Sequence, residues 1–296
     1  MFVSSVYSFL GLGPTVFVLV LAFLLGAVFA SFITCVADRL VAGESPWTGR
    51  SHCCACGHDL APWDLIPVLS WLFARGRCRY CGAGIPVRCV VFEAALGVVF
   101  LLFFIRFGLS VPAVAYCALA VLLLGLSLVD LDTMTIPNGF VIAGIVVWLL
   151  QVVATAAIVL TGGEAMALSL GERPVILTAS FFAGFGDLAA LVLDGLVGGV
   201  CMGGGILAFS LLFDKITGKQ SLGGGDVKLL FVVGLFLGLP LSLLNLIVSC
   251  VLGLVLAFGL KAKGKAFPFG PAIAAATVLT LLFGGPMMTW YLGLIF

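Results

Sequence analysis

Charge is what this chain has least of. Only 9% of its 296 residues are charged, against 63% hydrophobic, and the mean hydropathy is +1.32. That balance excludes a soluble globular core. The net charge of +1 offers no basic surface, so no nucleic-acid partner is expected. The ten-residue alternation of a membrane barrel is missing, which leaves helices to satisfy the backbone in lipid. Also missing are a phosphate-cradling glycine loop and a dinucleotide-type alternation of strands and helices, so no nucleotide site shows in the pattern. No basic residue precedes the first long apolar run, which exceeds a signal-peptide core and is expected to stay in the mature protein.

What is present is a series of apolar runs. Dividing them by the ~20 residues needed to cross a bilayer predicts an all-α polytopic membrane protein with about eight spans. These fall at residues 16–36, 89–107, 111–129, 137–160, 188–213, 227–239, 241–260 and 271–296, with a linker over 161–187. Three parts follow: a first transmembrane helix (1–37), a cysteine-rich polar loop (38–88) and a membrane domain (89–296). With the amino terminus outside, the inner loops hold Arg39, Arg50, Arg75, Arg77, Arg79 and Arg88, then Lys215, Lys219 and Lys228, then Lys261, Lys263 and Lys265. Only Arg106 and Arg173 fall outside. Short cytoplasmic loops keep Lys and Arg, so this split predicts eight spans with both termini outside.

Within so apolar a chain, individual carboxylates need a reason. Asp226 follows three glycines, Gly223 to Gly225, at the head of an apolar run, and Asp130 closes the run of the third span. An ionisable group at the edge of a span is a functional candidate. Glycine there can adopt positive φ or let another segment approach closely. The charge split brings both aspartates to the cytoplasmic end. Such a pair can share a proton, one group acting as base on water and the other as acid toward a carbonyl. The plainer reading is an N-capping Asp226, with Asp130 and Asp132 solvating a helix end. A different class of reading is a transporter or metal-linked scaffold whose two aspartates bind a cation.

Gly223, Gly225, Asp226 and Lys228, together with Asp130 six residues before Ile136-Pro137-Asn138, resemble the two motifs of the prepilin peptidase family, membrane aspartyl proteases of the G-x-G-D type. Pro268-Phe269-Gly270-Pro271 is similar to that family's element before the last span. The loop resembles the amino-terminal half of its bifunctional members at Arg39, Gly43-Glu44-Ser45, the run from Asp64 to Leu72, the run from Arg75 to Gly82, and Glu93. The resemblance implies a peptidase using Asp130 and Asp226, supported by Gly223, Gly225 and Lys228. The implied reaction is cleavage of the basic leader of type IV pilin-like or pseudopilin precursors. It also implies methylation of the new amino terminus with S-adenosylmethionine, with Glu44 and Glu93 associated. Departures from the family pattern gather in the loop half, at Thr34, Gly49, Cys54 and Cys89-Val90.

Cys53-x-x-Cys56 and Cys78-x-x-Cys81 are each followed by a glycine, Gly57 and Gly82. Four thiolates at such spacing can close a tetrahedral zinc site, which would fold a loop too small for a core of its own. Disulfides are the competing pattern, disfavoured in a reducing cytoplasm. His52, Cys54 and His58 are alternative ligands. Cys35, Cys89, Cys117, Cys201 and Cys250 sit in or beside apolar spans as packing residues.

Overall fold

The apolar runs fold as helices because lipid offers no other partner for their backbone groups. A computed structural model describes residues 11–46, 49–161, 187–218, 223–259 and 268–295. Residues 162–186 of the expected linker, and Arg173, Lys219, Lys261, Lys263 and Lys265, lie outside the described residues. The helices are α1 (Leu12–Ala42), α2 (Leu69–Phe73), α3 (Val87–Phe107), α4 (Val111–Thr133), α5 (Asn138–Thr161), α6 (Asp187–Thr217), α7 (Gly224–Gly259) and α8 (Gly270–Ile295). A single 3-10 turn, Pro62–Leu65, precedes α2. Among the described residues there is no extended strand, and seven of the helices are long and apolar enough to cross a membrane.

One of those seven, α7, contains two crossings. Its Gly238 has φ 68° and ψ 174°, outside helical values, and Pro240 follows. Gly198 of α6 packs on Gly234 and Gly238, and Gly203 on Phe231, so α6 runs antiparallel to the first half of α7. Gly284 of α8 meets Leu241, Asn245 Nδ2 donates to Thr277 Oγ1 (3.0 Å), and Gly253 meets Phe269. The second half of α7 therefore runs antiparallel to α8. Both ends of α7 return to one end of the bundle, as the Gly238-Leu239-Pro240 break predicts. Glycine is required at the reversal because a side chain rarely tolerates that positive φ.

The centre of the bundle is α4, with 67% of its apolar stretch buried against 28% for α1, α3 and α7. Its start is fixed by Ser110, whose side chain accepts from the Ala113 N–H (3.2 Å), and by Pro112 in the first turn. Tyr116, Phe103, Phe107 and Phe236 pack around its outer half. Against it, α1 and α3 cross closely at Gly26 and Gly97, where an added Cβ would meet backbone atoms at 2.7 to 3.0 Å. Several helices outlast their apolar runs. α1 continues through Asp38 and Arg39 until Gly43 (φ 73°), and α6 through Lys215 until Gly218 (φ 67°), because a left-handed glycine, not the loss of hydropathy, stops the helix.

Candidate functional site

Asp130 lies in the last turn of α4, four residues before Met134, whose left-handed conformation (φ 53°) ends the helix while its N–H donates to the Asp130 carbonyl (2.8 Å). Its carboxylate is turned inward and only 4% exposed. There Oδ2 accepts the backbone N–H of Gly270 (3.0 Å), the first residue of α8. The unsatisfied amides and positive dipole end of α8 are thus directed at a carboxylate. Gly270 is needed for this approach, since a Cβ there would stand 2.7 Å from Asp130 Oδ2. Asp132, two residues on, is exposed and within electrostatic reach of Asp38 at the end of α1.

Asp226 occupies the first turn of α7, half-buried, its N–H donating to the Gly223 carbonyl (3.1 Å). Asp130 lies within electrostatic reach of it, at the same end of the bundle. None of Gly223, Gly224 and Gly225 has positive φ, and what the stretch uses is close approach. A Cβ on Gly225 would press on Ile136 at 3.0 Å, and one on Gly223 would lie 3.3 Å from Asp226 Oδ2. Lys228 Nζ donates to Asn138 Oδ1 (2.9 Å), the first residue of α5. The two aspartate segments are therefore joined twice, by Ile136 on Gly225 and by Lys228 on Asn138. The sequence shows Gly270 only as part of a motif and does not show that its amide meets Asp130. The single hint was a glycine between two prolines, Pro268 and Pro271, at a helix start.

The loop is built differently. Gly57 N–H donates to the Cys53 carbonyl (2.8 Å) and Cys53 N–H donates to the His58 carbonyl (2.9 Å). Twenty-five positions later Gly82 repeats the first bond to Cys78 (2.9 Å) and Cys78 the second to Ala83 (2.7 Å). The bridges His52–Asp59 and Arg77–Gly84 repeat at the same offset. Both glycines are left-handed, φ 70° and 73°, as the turns require. The two knuckles bring the Sγ atoms of Cys53, Cys56, Cys78 and Cys81 within 4.8 Å of one another, with Cys53 and Cys81 3.9 Å apart. Tetrahedral zinc with Zn–S near 2.3 Å sets its sulfurs ~3.8 Å apart, so the group fits a metal ion. The Ala55 and Cys56 amides pull the Cys53 thiol down to about 6. The Ala83 amide also acts downward on Cys81, but burial and hydrogen bonds to the other thiols outweigh it and push Cys81 up to about 12. Four thiolates gather here only with a cation to offset them.

All ten cysteines are free of disulfides, and His52, Cys54 and His58 stay outside the cluster. The His58 ring stacks on Tyr80 at 3.8 Å, and the Tyr80 hydroxyl donates to Asp64 Oδ2 (2.9 Å), which braces the knuckles against the 3-10 turn. Between the knuckles, the end of α1 and the start of α3 lies a cavity of about 380 Å³ lined by Asp38, Trp71, Arg88 and Glu93 among others. Arg88 pairs with Asp38 at 3.1 Å across its mouth. Glu93 Oε2 accepts the Val68 N–H (2.7 Å). Glu44 is exposed beyond the end of α1 and does not line the cavity.

Two family models match the chain: the Bacterial Peptidase A24 N-terminal domain over residues 24–107 and the Type IV leader peptidase family over residues 117–258. The chain is similar to prepilin leader peptidase/N-methyltransferases of Pseudomonas putida (30% identical, 95% of each chain), Stutzerimonas stutzeri (30%, 96% of each) and Bacillus subtilis strain 168 (28%, 91% of this chain and 96% of that one). No solved structure matches it.

Proposed function

Because the chain belongs to the type IV leader peptidase family, we propose that it cleaves the leader of type IV prepilin-like precursors with Asp130 and Asp226 and methylates the amino terminus that cleavage exposes. The peptidase half is supported by the location of both aspartates at one end of the bundle, each within electrostatic reach of the other. In this mechanism a water lies between them. One ionised carboxylate takes a proton from the water as its oxygen attacks the scissile carbonyl carbon. Its partner, carrying the shared proton, donates to the carbonyl oxygen. Collapse of the tetrahedral species breaks the C–N bond, and the departing nitrogen takes up the transferred proton. The Gly270 amide fixes one face of Asp130, leaving its other oxygen for the chemistry.

The short first half of α7 supports access from the membrane side. From Gly224 to the break at Gly238 it rises about 21 Å, well under the ~30 Å of a hydrocarbon core, so Asp226 at its head sits in a recess below the surface. A precursor whose apolar helix lies in the bilayer presents its scissile bond at that height, with the basic leader in water. The charge distribution supports a cytoplasmic location for this end of the bundle with both termini outside, and the family supports the bacterial cytoplasmic membrane.

For the methylase half, residues 38–88 form the loop unit and residues 89–296 the peptidase domain. Zinc on Cys53, Cys56, Cys78 and Cys81 holds the loop in shape. S-adenosylmethionine supplies the methyl group. Glu93 lines the cavity with one oxygen engaged by Val68, and its second oxygen can take the proton that an ammonium must lose before it is nucleophilic. Incubating the purified protein with a precursor and labelled S-adenosylmethionine reports leader loss and label transfer separately. An intact leader would end the peptidase assignment, and cleavage without label would end the methylase one.

A further inference from the structure

The loop carries an apolar stretch of which only Leu65, among its exposed large side chains, also lines the cavity. Phe73 is 80% exposed, Trp63 60% and Leu72 55%, and Leu65, Ile66 and Leu69 are exposed beside them. Leu65, Leu69, Leu72 and Phe73 recur three or four residues apart, whereas Asp64, Val68 and Trp71 between them are half-buried. Such a one-sided cluster of large apolar side chains marks an interaction surface.

The depth of the stretch identifies what it meets. Val68 has φ 62° and ψ −51°, a conformation that costs a β-branched residue, with the Leu69 N–H closing on the Pro67 carbonyl. The strain is held by the bond from Val68 N–H to Glu93. Glu93 lies five residues, about 7.5 Å of helix rise, deeper along α3 than Arg88, which is paired with Asp38. Helix side chains lean back toward the N-terminus, so the carboxylate returns toward the polar edge of the span. Val68 is thereby fastened level with the polar end of the α3 span. The chain then emerges through Arg75 and Arg77, both exposed.

We propose that residues 62–73 are an in-plane membrane anchor, their apolar side chains in the headgroup–acyl boundary of the adjacent leaflet and Arg75 and Arg77 over anionic phospholipid headgroups. The anchor keeps the cavity beside Glu93 at the membrane surface, the level at which the end of a bilayer-embedded helix emerges.

The full chain, reconstituted in phosphatidylglycerol–phosphatidylethanolamine vesicles, tests this with photoreactive p-benzoylphenylalanine at Phe73 and, for comparison, at Asp59 in the first knuckle. Phospholipid adducts should form several-fold more often at 73 than at 59, and fall when phosphatidylcholine replaces the anionic lipid. Adducts at 73 to a second copy of the chain, or lipid adducts no commoner there than at 59, would overturn the anchor. Equal yields in phosphatidylcholine would overturn the anionic partner. Tryptophan emission gives a check that leaves Phe73 in place: headgroup-proximal brominated phospholipid should quench the wild type more than Trp63→Phe, and equal quenching counts against the anchor.

Discussion

Asp130 and Cys78 are almost equally withdrawn from solvent, at 4% and 7% exposed, but they are sheltered in different ways. Asp130 is held by segments far apart in the chain: α4 carries it, α8 donates an amide across 140 positions, and α7 brings Asp226 to it. Cys78 is held by its own turn, with bonds to Gly82 and Ala83, and by a copy of that turn 25 positions earlier. The membrane site depends on helix packing, in which a displaced atom propagates, because interiors are close-packed. The loop depends on local turns around a cysteine cluster that can hold a metal ion, and it can loosen without moving the bundle. The two activities should therefore fail separately.

The largest break is at the dyad. Asp130→Asn or Asp226→Asn should lower cleavage by roughly 10²–10⁴-fold while methyl transfer to an already cleaved precursor continues. Exposed Asp132→Asn should cleave within a few-fold of wild type. Normal cleavage by Asp130→Asn with loss in Asp132→Asn would reverse the assignment.

Next come two changes of similar size in opposite halves. Gly270→Ala inserts a Cβ 2.7 Å from Asp130 Oδ2 and should cost cleavage about 10²-fold, as misplacement of a reacting group does, whereas Gly204→Ala, with open space around it, should not. Glu93→Gln keeps an oxygen for the Val68 N–H but removes the base, so methyl transfer should fall about 10²-fold with cleavage retained. Methylation at the wild-type rate in Glu93→Gln would reduce Glu93 to a clamp on Val68.

A smaller effect is expected from the metal. Cys78→Ser should abolish the one zinc per chain, lower methyl transfer about tenfold through a loosened loop, and leave most cleavage. In metal-free protein Cys53 should be the first of the four thiols alkylated near neutral pH. Its lowered value, about 6, leaves the thiolate populated above that pH and lost as pH falls through it. Zinc-independent alkylation, or stoichiometric disulfides with no metal, would remove zinc from the loop. The smallest change should be Glu44→Gln, because Glu44 does not line the cavity; methyl transfer should stay within about twofold, and a loss as deep as that in Glu93→Gln would move the methylase site out of the cavity.

Composition and periodicity alone determined that this chain crosses a membrane as helices, reverses at Gly238-Leu239-Pro240, brings Asp130 and Asp226 to one end, and gathers four cysteines in two turns. These are one-dimensional signals: run length, charge parity between successive loops, and the spacing of like residues survive without knowledge of packing. Only the tertiary structure decided that Asp130 turns inward while Asp132 faces out, that the Gly270 amide seats Asp130, that Lys228 reaches Asn138, and that Glu93 lines the cavity while Glu44 does not. Each of these depends on which helix end meets which side chain across tens of residues or more. In a chain where nearly every face is apolar, hydropathy does not say which face is lipid and which is protein, so those pairings are set by close approach at small residues such as Gly225 and Gly270.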